Sequence, residues 1–210
     1  MCITVKQMMQ IEENGHQMGF LRKFMMENAG AGATKILVEK FGDVKSKNVL
    51  VFAGLGNNGG DGLVIARHLA GNETAFAGHM NALMTRLNLE NSHFKNSHGL
   101  DETGHLASAY DLAMLSRYAM ALPDFANTAQ TTTWVAKGSR TFYMRNGNAF
   151  LRTYAGADGV KTGNTDLAGR TFVGSVTRNG NRVFVVLLNS PDRYGEATTL
   201  MDWVFENHEW

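Results

Sequence analysis

Residues 48–71 read NVLVFAGLGNNGGDGLVIARHLAG, two apolar runs on either side of a glycine-rich loop. Val49–Ala53 is unbroken and of strand length, a pattern typical of a strand buried on both faces. Leu63–Ala70 predicts a helix that ends at Gly71. Strand, glycine-rich loop and helix together are the order of elements that forms a phosphate site.

The loop itself, Gly54–Gly62, lets backbone N–H groups and a helix N-terminus approach an anion, because glycine allows positive φ and leaves room for a ligand. A tight strand-to-helix turn without a ligand is the alternative. Asn57, Asn58 and Asp61 favour binding, since they add polar side chains to the loop.

A long helix is predicted upstream, from about Phe20 to Phe41, with Gly42 at its end. Within it Met26–Gly30 reads MENAG, and the later loop Gly56–Gly62 reads GNNGGDG. On these motifs residues 1–71 resemble the N-terminal part of an NAD(P)H-hydrate epimerase.

That resemblance implies a dinucleotide ligand, NAD(P)HX, and a potassium ion held partly by Asn58. The contact residues it implies are Asn57, Asn58, Gly59, Gly60 and Asp61. The strands that follow in the epimerases, with the acidic residue that moves the proton, are absent from this sequence. A loop without those strands has lost the crevice in which a dinucleotide lies.

Helical signals continue beyond Gly71. Asn72 can cap a helix that carries an apolar face of Phe76, Met80, Leu83 and Leu87. Ser108 with Asp111 starts another helix, which Pro123 is expected to stop.

An alternating, threonine- and aromatic-rich pattern then predicts strands over residues 131–135, 140–144, 171–177 and 182–188. Asn179-Gly180 predicts a hairpin between the last two. A final helix near Glu196–Asn207 is expected to cover this sheet with Leu200, Trp203 and Val204.

A Lys-Thr-Gly motif stands at Lys161–Gly163, after GADGV and before NTD. Alone it is weak evidence, and a charged strand edge is its alternative interpretation. Because an Asn-Gly hairpin and a C-terminal helix follow it, residues 73–206 resemble the serine D-alanyl-D-alanine carboxypeptidases, which are low-molecular-mass penicillin-binding proteins.

The residue types fit recognition of a peptide that ends in D-alanine. Lys161 can hold the terminal carboxylate, Thr162 adds a hydroxyl, and Gly163 lets the substrate lie close to the strand. The resemblance also implies that the backbone N–H of Asn164 is an oxyanion donor. This reading requires no cofactor.

The nucleophile of that family is missing. The family needs a Ser-x-x-Lys motif, in which the lysine takes the serine proton, and a Ser-x-Asn motif opposite it. Counting back from Gly71, the second motif falls on residues 57–59, Asn-Asn-Gly. The one Ser-x-x-Lys in the chain, Ser92 to Lys95, comes too late in the motif order and is interpreted as coincidence, although it is the only place where acylation could occur.

Four groups in the same loop, His93, His98, Asp101 and His105, suit zinc chemically. Their spacing matches no compact ligand motif, and the loop resembles a structural loop of the carboxypeptidases. A metal site is therefore the weaker interpretation.

Composition narrows the class of partner. The 210 residues carry 20 basic and 19 acidic side chains, a net charge of +1, which gives no field for nucleic acid. Cys2 is the only cysteine, so an internal disulfide is excluded. No run approaches the ~20 apolar residues of a membrane span, and Met1–Gln7 lacks a signal-peptide core. The sequence as written predicts a cytoplasmic location, whereas the carboxypeptidase resemblance implies the cell envelope.

Three hypotheses follow: a carboxypeptidase-like protein, an epimerase-like dinucleotide-binding protein, and a non-catalytic chimera. The missing nucleophile favours the carboxypeptidase family without its activity, and a small peptide or a dinucleotide as ligand. The predicted fold is mixed α/β, with an N-terminal helix-helix-strand-loop-helix unit, a helical middle and a C-terminal antiparallel sheet of the β-lactamase/transpeptidase type. The expected segments are residues 1–71 and 72–210, which the sequence allows to merge into one domain, in an oligomeric state that it leaves open.

Overall fold

The computed structural model describes residues 34–35, 38–39, 42, 66–137 and 141–210. The chain divides into two compact units, residues 1–83 with 94–105 and residues 84–93 with 106–210. The predicted strand Val49–Ala53, the glycine-rich loop and most of the predicted helix from Phe20 to Phe41 lie outside the described residues. The segment boundary at Gly71 stays a prediction.

Most of the described helices and strands are short. The helices are α1 (Glu73–Arg86), α2 (Ala109–Met120), α3 (Pro123–Gln130), α4 (Phe150–Thr153) and α5 (Arg193–Asn207). The strands are β1 (Thr133–Lys137), β2 (Thr141–Arg145), β3 (Ala157–Thr165), β4 (Gly169–Arg178) and β5 (Asn181–Leu187).

Helix ends in the first unit follow local signals in the sequence. Residues 66–70 are helical and Gly71 has φ +84°, so the predicted helix end is confirmed. The backbone N–H of Ala75 donates to the side chain of Asn72 at 2.8 Å, which confirms the predicted cap of α1. Asn81 fixes the loop 94–105 by exchanging two 2.8 Å hydrogen bonds with the backbone of Phe94.

The second unit is organised by an antiparallel sheet of order β3-β4-β5. The turn between β4 and β5 has positive φ at Asn179 (50°) and Gly180 (83°), so the predicted Asn-Gly hairpin is confirmed. Strands β1 and β2 form a separate two-stranded sheet. Among the described residues, only β4 lies beside β3 in the sheet, so β3 is an edge strand of that part of the chain, and it carries the Lys-Thr-Gly motif.

The core of this unit lies on one face of the three-stranded sheet. Phe172 and Val185 from the sheet pack against Phe150 of α4 and against Ala197 and Met201 of α5. Burying each of the two phenylalanine rings contributes about 1.5–3 kcal/mol of stability. The core therefore fixes α5 and β4, and through β4 it fixes the strand that bears Lys161.

One detail of the predicted helices is wrong. Leu200 and Trp203 of α5 are 45% and 56% exposed, and the helix covers the sheet with Ala197 and Met201 instead. Small Ala197 lets the helix approach the sheet closely, which the larger pair would prevent. The predicted stop at Pro123 is confirmed, since α2 ends at Met120. Pro123 also begins α3, where its fixed φ suits the first turn.

Candidate carboxylate-binding site on strand β3

The pleat of β3 separates the three residues of the motif. Lys161 and Gly163 pair with Val173 and Thr171 of β4 and share one face of the sheet. Thr162 pairs with Phe172 and so belongs to the opposite, core-facing side. Its predicted contact with a ligand stays a prediction that depends on access along the open edge of β3.

Gly163 has a structural reason to lack a side chain. A Cβ at this position would collide with the hydroxyl oxygen of Thr171 on the neighbouring strand. The glycine therefore lets the Thr171 hydroxyl lie directly over β3. This packing requirement is separate from the prediction that a substrate lies close to the strand at Gly163.

Arg193 lies at the same end of the strand pair, and no motif in the sequence predicted it. Its guanidinium donates to the carbonyl of Gly163 at 2.8 Å and to that of Thr171 at 3.4 Å. Asp192 caps α5 by accepting from the backbone N–H of Gly195 at 3.1 Å, which sets where the helix begins and where Arg193 stands. No local spacing in the sequence signals this role, because residues 163 and 193 meet only after two strands have returned.

Lys161 is partly buried beside this arginine. Its ammonium donates to the carbonyl of Thr162. Burial, and then the charge of Arg193, lower the pKa of Lys161 below its usual value of 10.5. Within the described residues, neither cation forms an ion pair with a carboxylate. Two neighbouring cations with no acidic partner among the described residues attract an anion, and a ligand carboxylate would relieve their repulsion.

A polar network holds the start of β3 in place. The carboxylate of Asp158 accepts from the hydroxyls of Ser175 at 2.5 Å and Thr177 at 2.6 Å. Arg182 donates to the same carboxylate from Nε at 3.1 Å and from Nη2 at 3.0 Å. Its Nη1 donates to the carbonyl of Met120 at 3.0 Å, so the network also joins α2 to the sheet. Asp158 stands three residues before Lys161 and thereby fixes the strand that presents it.

Asn164, the expected oxyanion donor, is exposed and pairs with Arg170 of β4. The role of its N–H in binding a ligand stays a prediction.

Ser92 and Lys95 make separate local contacts. The hydroxyl of Ser92 accepts from the backbone N–H of Ser108 at 3.0 Å. The backbone N–H of Lys95 donates to Nδ1 of His105 at 3.1 Å. Both contacts organise loops. The interpretation of this Ser-x-x-Lys as coincidence stays a prediction.

The histidines of the same loop have structural partners. Nε2 of His98 lies 3.2 Å from a carboxylate oxygen of Glu73, and the backbone of His93 pairs with Leu106. Among the residues that the structure describes, no three His, Cys, Asp or Glu side chains are grouped to hold a metal ion. No helix in the described ranges is long and apolar enough to cross a membrane. The epimerase-type contact residues, Asn57, Asn58, Gly59, Gly60 and Asp61, lie outside those ranges.

An antiparallel sheet with Lys-Thr-Gly on its edge strand, covered by a C-terminal helix, defines a protein of the penicillin-binding, transpeptidase-like class. A family model described as D-alanyl-D-alanine carboxypeptidase matches residues 3–192. The chain belongs to this family.

Known relatives of the chain come from two families. A carboxypeptidase of Salmonella typhimurium is 34% identical over 158 residues, 72% of this chain and 40% of its own length. An NAD(P)H-hydrate epimerase of Nitrosopumilus maritimus is 74% identical over 69 residues, 33% of this chain and 32% of its own length. The sequence thus combines stretches similar to two families, which agrees with the chimera-like interpretation. The chain spans about half or less of the length of the curated relatives it matches.

Solved structures agree on the fold. A Streptomyces DD-transpeptidase superposes with a TM-score of 0.67 at 24% identity, covering 88% of this chain and 86% of that one. A mutant of the same transpeptidase gives a TM-score of 0.65 at 31% identity, covering 70% of this chain and 63% of the other.

Proposed function

We propose that this chain binds the C-terminal carboxylate of a peptidoglycan stem peptide that ends in D-alanine, and that it does not hydrolyse the peptide. The pairing of Lys161 with Arg193, two cations beside an edge strand with no acidic partner among the described residues, is the observation that carries the proposal. A carboxylate would accept from both cations, and the edge of β3, unpaired among the described residues, leaves backbone groups for the peptide that precedes it.

The absence of hydrolysis is the second part of the proposal. Acylation requires a serine beside a basic lysine, and the expected Ser-x-Asn positions hold Asn57, Asn58 and Gly59. The hydroxyl of Ser92 already accepts a backbone hydrogen bond. The chain would therefore recognise the ligand of a carboxypeptidase without cleaving it. Recognition needs no cofactor, and a role in the cell envelope is part of the same proposal.

Equilibrium titration with a diacetyl-Lys-D-Ala-D-Ala peptide and with its C-terminal amide tests recognition. The acid should bind more tightly than the amide by about 10- to 100-fold, because hydrogen bonds to a charged group contribute about 1.5–3 kcal/mol. Lys161→Met should remove most of this preference, whereas Lys95→Met, a matched change of an exposed lysine, should keep it. Equal affinity for acid and amide would overturn the proposal.

The second candidate function is dinucleotide binding by the N-terminal stretch, favoured by its 74% identity to an epimerase. On this proposal NAD(P)HX lies against the loop, and a potassium ion is held partly by Asn58. Titration of NADPHX with and without potassium should then give saturable binding that Asp61→Ala weakens. Lack of saturable binding would remove this candidate, and failure of both ligands would leave a non-catalytic chimera.

A further inference from the structure

Strands β1 and β2 form a hairpin, here called the aromatic hairpin, whose large side chains face solvent. The register pairs Trp134 with Met144 and Ala136 with Phe142, so these four residues share one face. Trp134 is 62% exposed, and Phe142 and Met144 are exposed beside it. Contiguous exposed apolar surface of this kind marks an interaction site more often than chance.

The opposite face of the aromatic hairpin combines an aromatic ring with a cation. Tyr143 is 69% exposed and pairs with Val135, and Arg145 stands two positions along the same face. Within the described part of the chain, the exposed side chain of Arg145 forms no ion pair. Both faces are therefore open to a ligand, and one of them offers a cation.

The stretch of sequence that contains the aromatic hairpin carries charge of one sign. Between Asp124 and Asp158 the sequence contains no acidic residue, but it contains Lys137, Arg140, Arg145 and Arg152. Two copies of the same basic hairpin would repel each other, which disfavours a second copy of this chain as the partner. The charge favours an anionic partner instead.

The base of the aromatic hairpin is tied to the strand that carries Lys161. Asn146 links the two ends of the hairpin. Its backbone N–H donates to the carbonyl of Thr132 at 2.8 Å, and its side-chain amide donates to the carbonyl of Thr131 at 3.0 Å. Two residues later, the side chain of Asn148 donates to the carbonyl of Gly159 on β3 at 3.3 Å. These contacts connect the base of the hairpin to β3 at Gly159, two residues before Lys161.

We propose that the aromatic hairpin binds the glycan–peptide strand of peptidoglycan, so that the ligand of this chain is the polymer and not a free stem peptide. Sugar rings present C–H faces that pack on exposed tryptophan and phenylalanine rings, and the stem peptides carry carboxylates that Arg145 can bind. A nucleic acid offers similar chemistry, but the net charge of +1 lacks the strong basic excess of nucleic-acid-binding domains. This inference deepens the proposed function and rests on it for the identity of the polymer.

Co-sedimentation with purified, insoluble peptidoglycan sacculi tests the inference on the full chain. Trp134→Ser should lower the affinity for sacculi about tenfold, the size expected when an aromatic anchor is lost from an interface. Trp203→Ser is the matched control, since Trp203 is similarly exposed (56%) but lies on α5, and it should leave the affinity unchanged. Arg145→Gln should weaken binding and reduce its dependence on salt.

The soluble diacetyl-Lys-D-Ala-D-Ala peptide separates this inference from the proposed function. Trp134→Ser should bind that peptide as the unchanged chain does. Sacculus binding that depends on Trp134 without any binding of the soluble peptide would support the aromatic hairpin and refute carboxylate recognition at Lys161.

Three results would overturn the inference: no sedimentation of the unchanged chain with sacculi, equal sedimentation of Trp134→Ser, or displacement of the chain from sacculi by duplex DNA at low concentration. Sedimentation velocity adds a fourth outcome. A dimer that Trp134→Ser converts to a monomer would identify a second copy of the chain as the occupant and would also overturn it.

Discussion

Replacing Asp158 with alanine removes the acceptor at the centre of the polar network that anchors β3. The carboxylate accepts from Ser175, Thr177 and Arg182, and its side chain is only 14% exposed. Ser175 is completely buried. Its hydroxyl is therefore left without an acceptor in a place that water does not reach.

The expected loss can be worked out from these contacts. A buried polar group left without a partner costs about 1–3 kcal/mol, which is the contribution from Ser175. The half-buried Thr177 adds about 0.5–1.5 kcal/mol for one neutral hydrogen bond. Arg182 is one third exposed, so its ion pair is discounted for screening to about 0–1 kcal/mol. Together these contributions predict that Asp158→Ala lowers the free energy of unfolding by about 2–5 kcal/mol.

Urea denaturation followed by circular dichroism measures this free energy. The double variant Asp158→Ala with Ser175→Ala supplies the control, because it also removes the stranded hydroxyl. It should be less destabilised than the sum of the two single variants by about 1–2 kcal/mol, the coupling expected of residues in one network. A loss under about 1 kcal/mol for Asp158→Ala, or strict additivity, would refute the reasoning that this network holds β3.

Three further predictions concern the strand, its lysine and the core. Gly163→Ala should lower the free energy of unfolding by about 1–3 kcal/mol, because the added methyl group overpacks against the Thr171 hydroxyl. In urea denaturation, adding Thr171→Ala should restore that stability. A loss that Thr171→Ala does not restore would place the strain elsewhere. The pKa of Lys161 is lowered in the folded chain, so binding of the carboxylate peptide should weaken as pH rises through that pKa, below pH 10.5. Calorimetry in buffers of different ionisation enthalpy should show that the chain takes up a proton on binding. An affinity that is independent of pH up to pH 10.5 would contradict this role of Lys161. Burial, and then the hydrogen bond to Asp202, raise the pKa of Tyr154 to about 12 from 10.0. The folded state therefore keeps its proton longer than the unfolded state, so stability that is fully present below pH 10 should fall between pH 10 and 12. Tyr154→Phe should flatten that fall in thermal unfolding scans, and an identical profile in the variant would show that another group is responsible.

Features decided by neighbouring residues were predictable from the sequence. The cap at Asn72 depends on a backbone N–H three residues away, and the Asn179-Gly180 turn depends on two positive φ angles. Both are local, so residue type alone specifies them.

Periodicity could not predict which face of α5 packs on the sheet, because the helix has two apolar stripes. Tyr194, Ala197, Met201 and Phe205 are spaced by three or four residues and face the core, whereas Leu200 and Trp203 form a second apolar stripe that faces solvent. Both stripes fit a helical period. Only the space available above the sheet selects the one with the smaller residue.

Arg193 and the Asp158 network were missed for a related reason. Arg193 meets Gly163 across 30 positions, and Arg182 meets Asp158 across 24. Such contacts depend on how β3, β4 and β5 return, and no spacing rule in a single sequence records them. Lys161 was therefore found from its motif, whereas Arg193, the second cation of the pair, appears only in the folded chain.

The central claim is that the chain keeps the recognition strand of a carboxypeptidase while these 210 residues lack its nucleophile. Intact mass after incubation with excess benzylpenicillin tests it most directly, on a sample shown to unfold cooperatively, with Ser92→Ala and Lys161→Ala alongside. The account predicts an unchanged mass for all three chains. A stable adduct of one benzylpenicillin on the unchanged chain, lost in Ser92→Ala, would contradict it and would identify Ser92 as a recruited nucleophile.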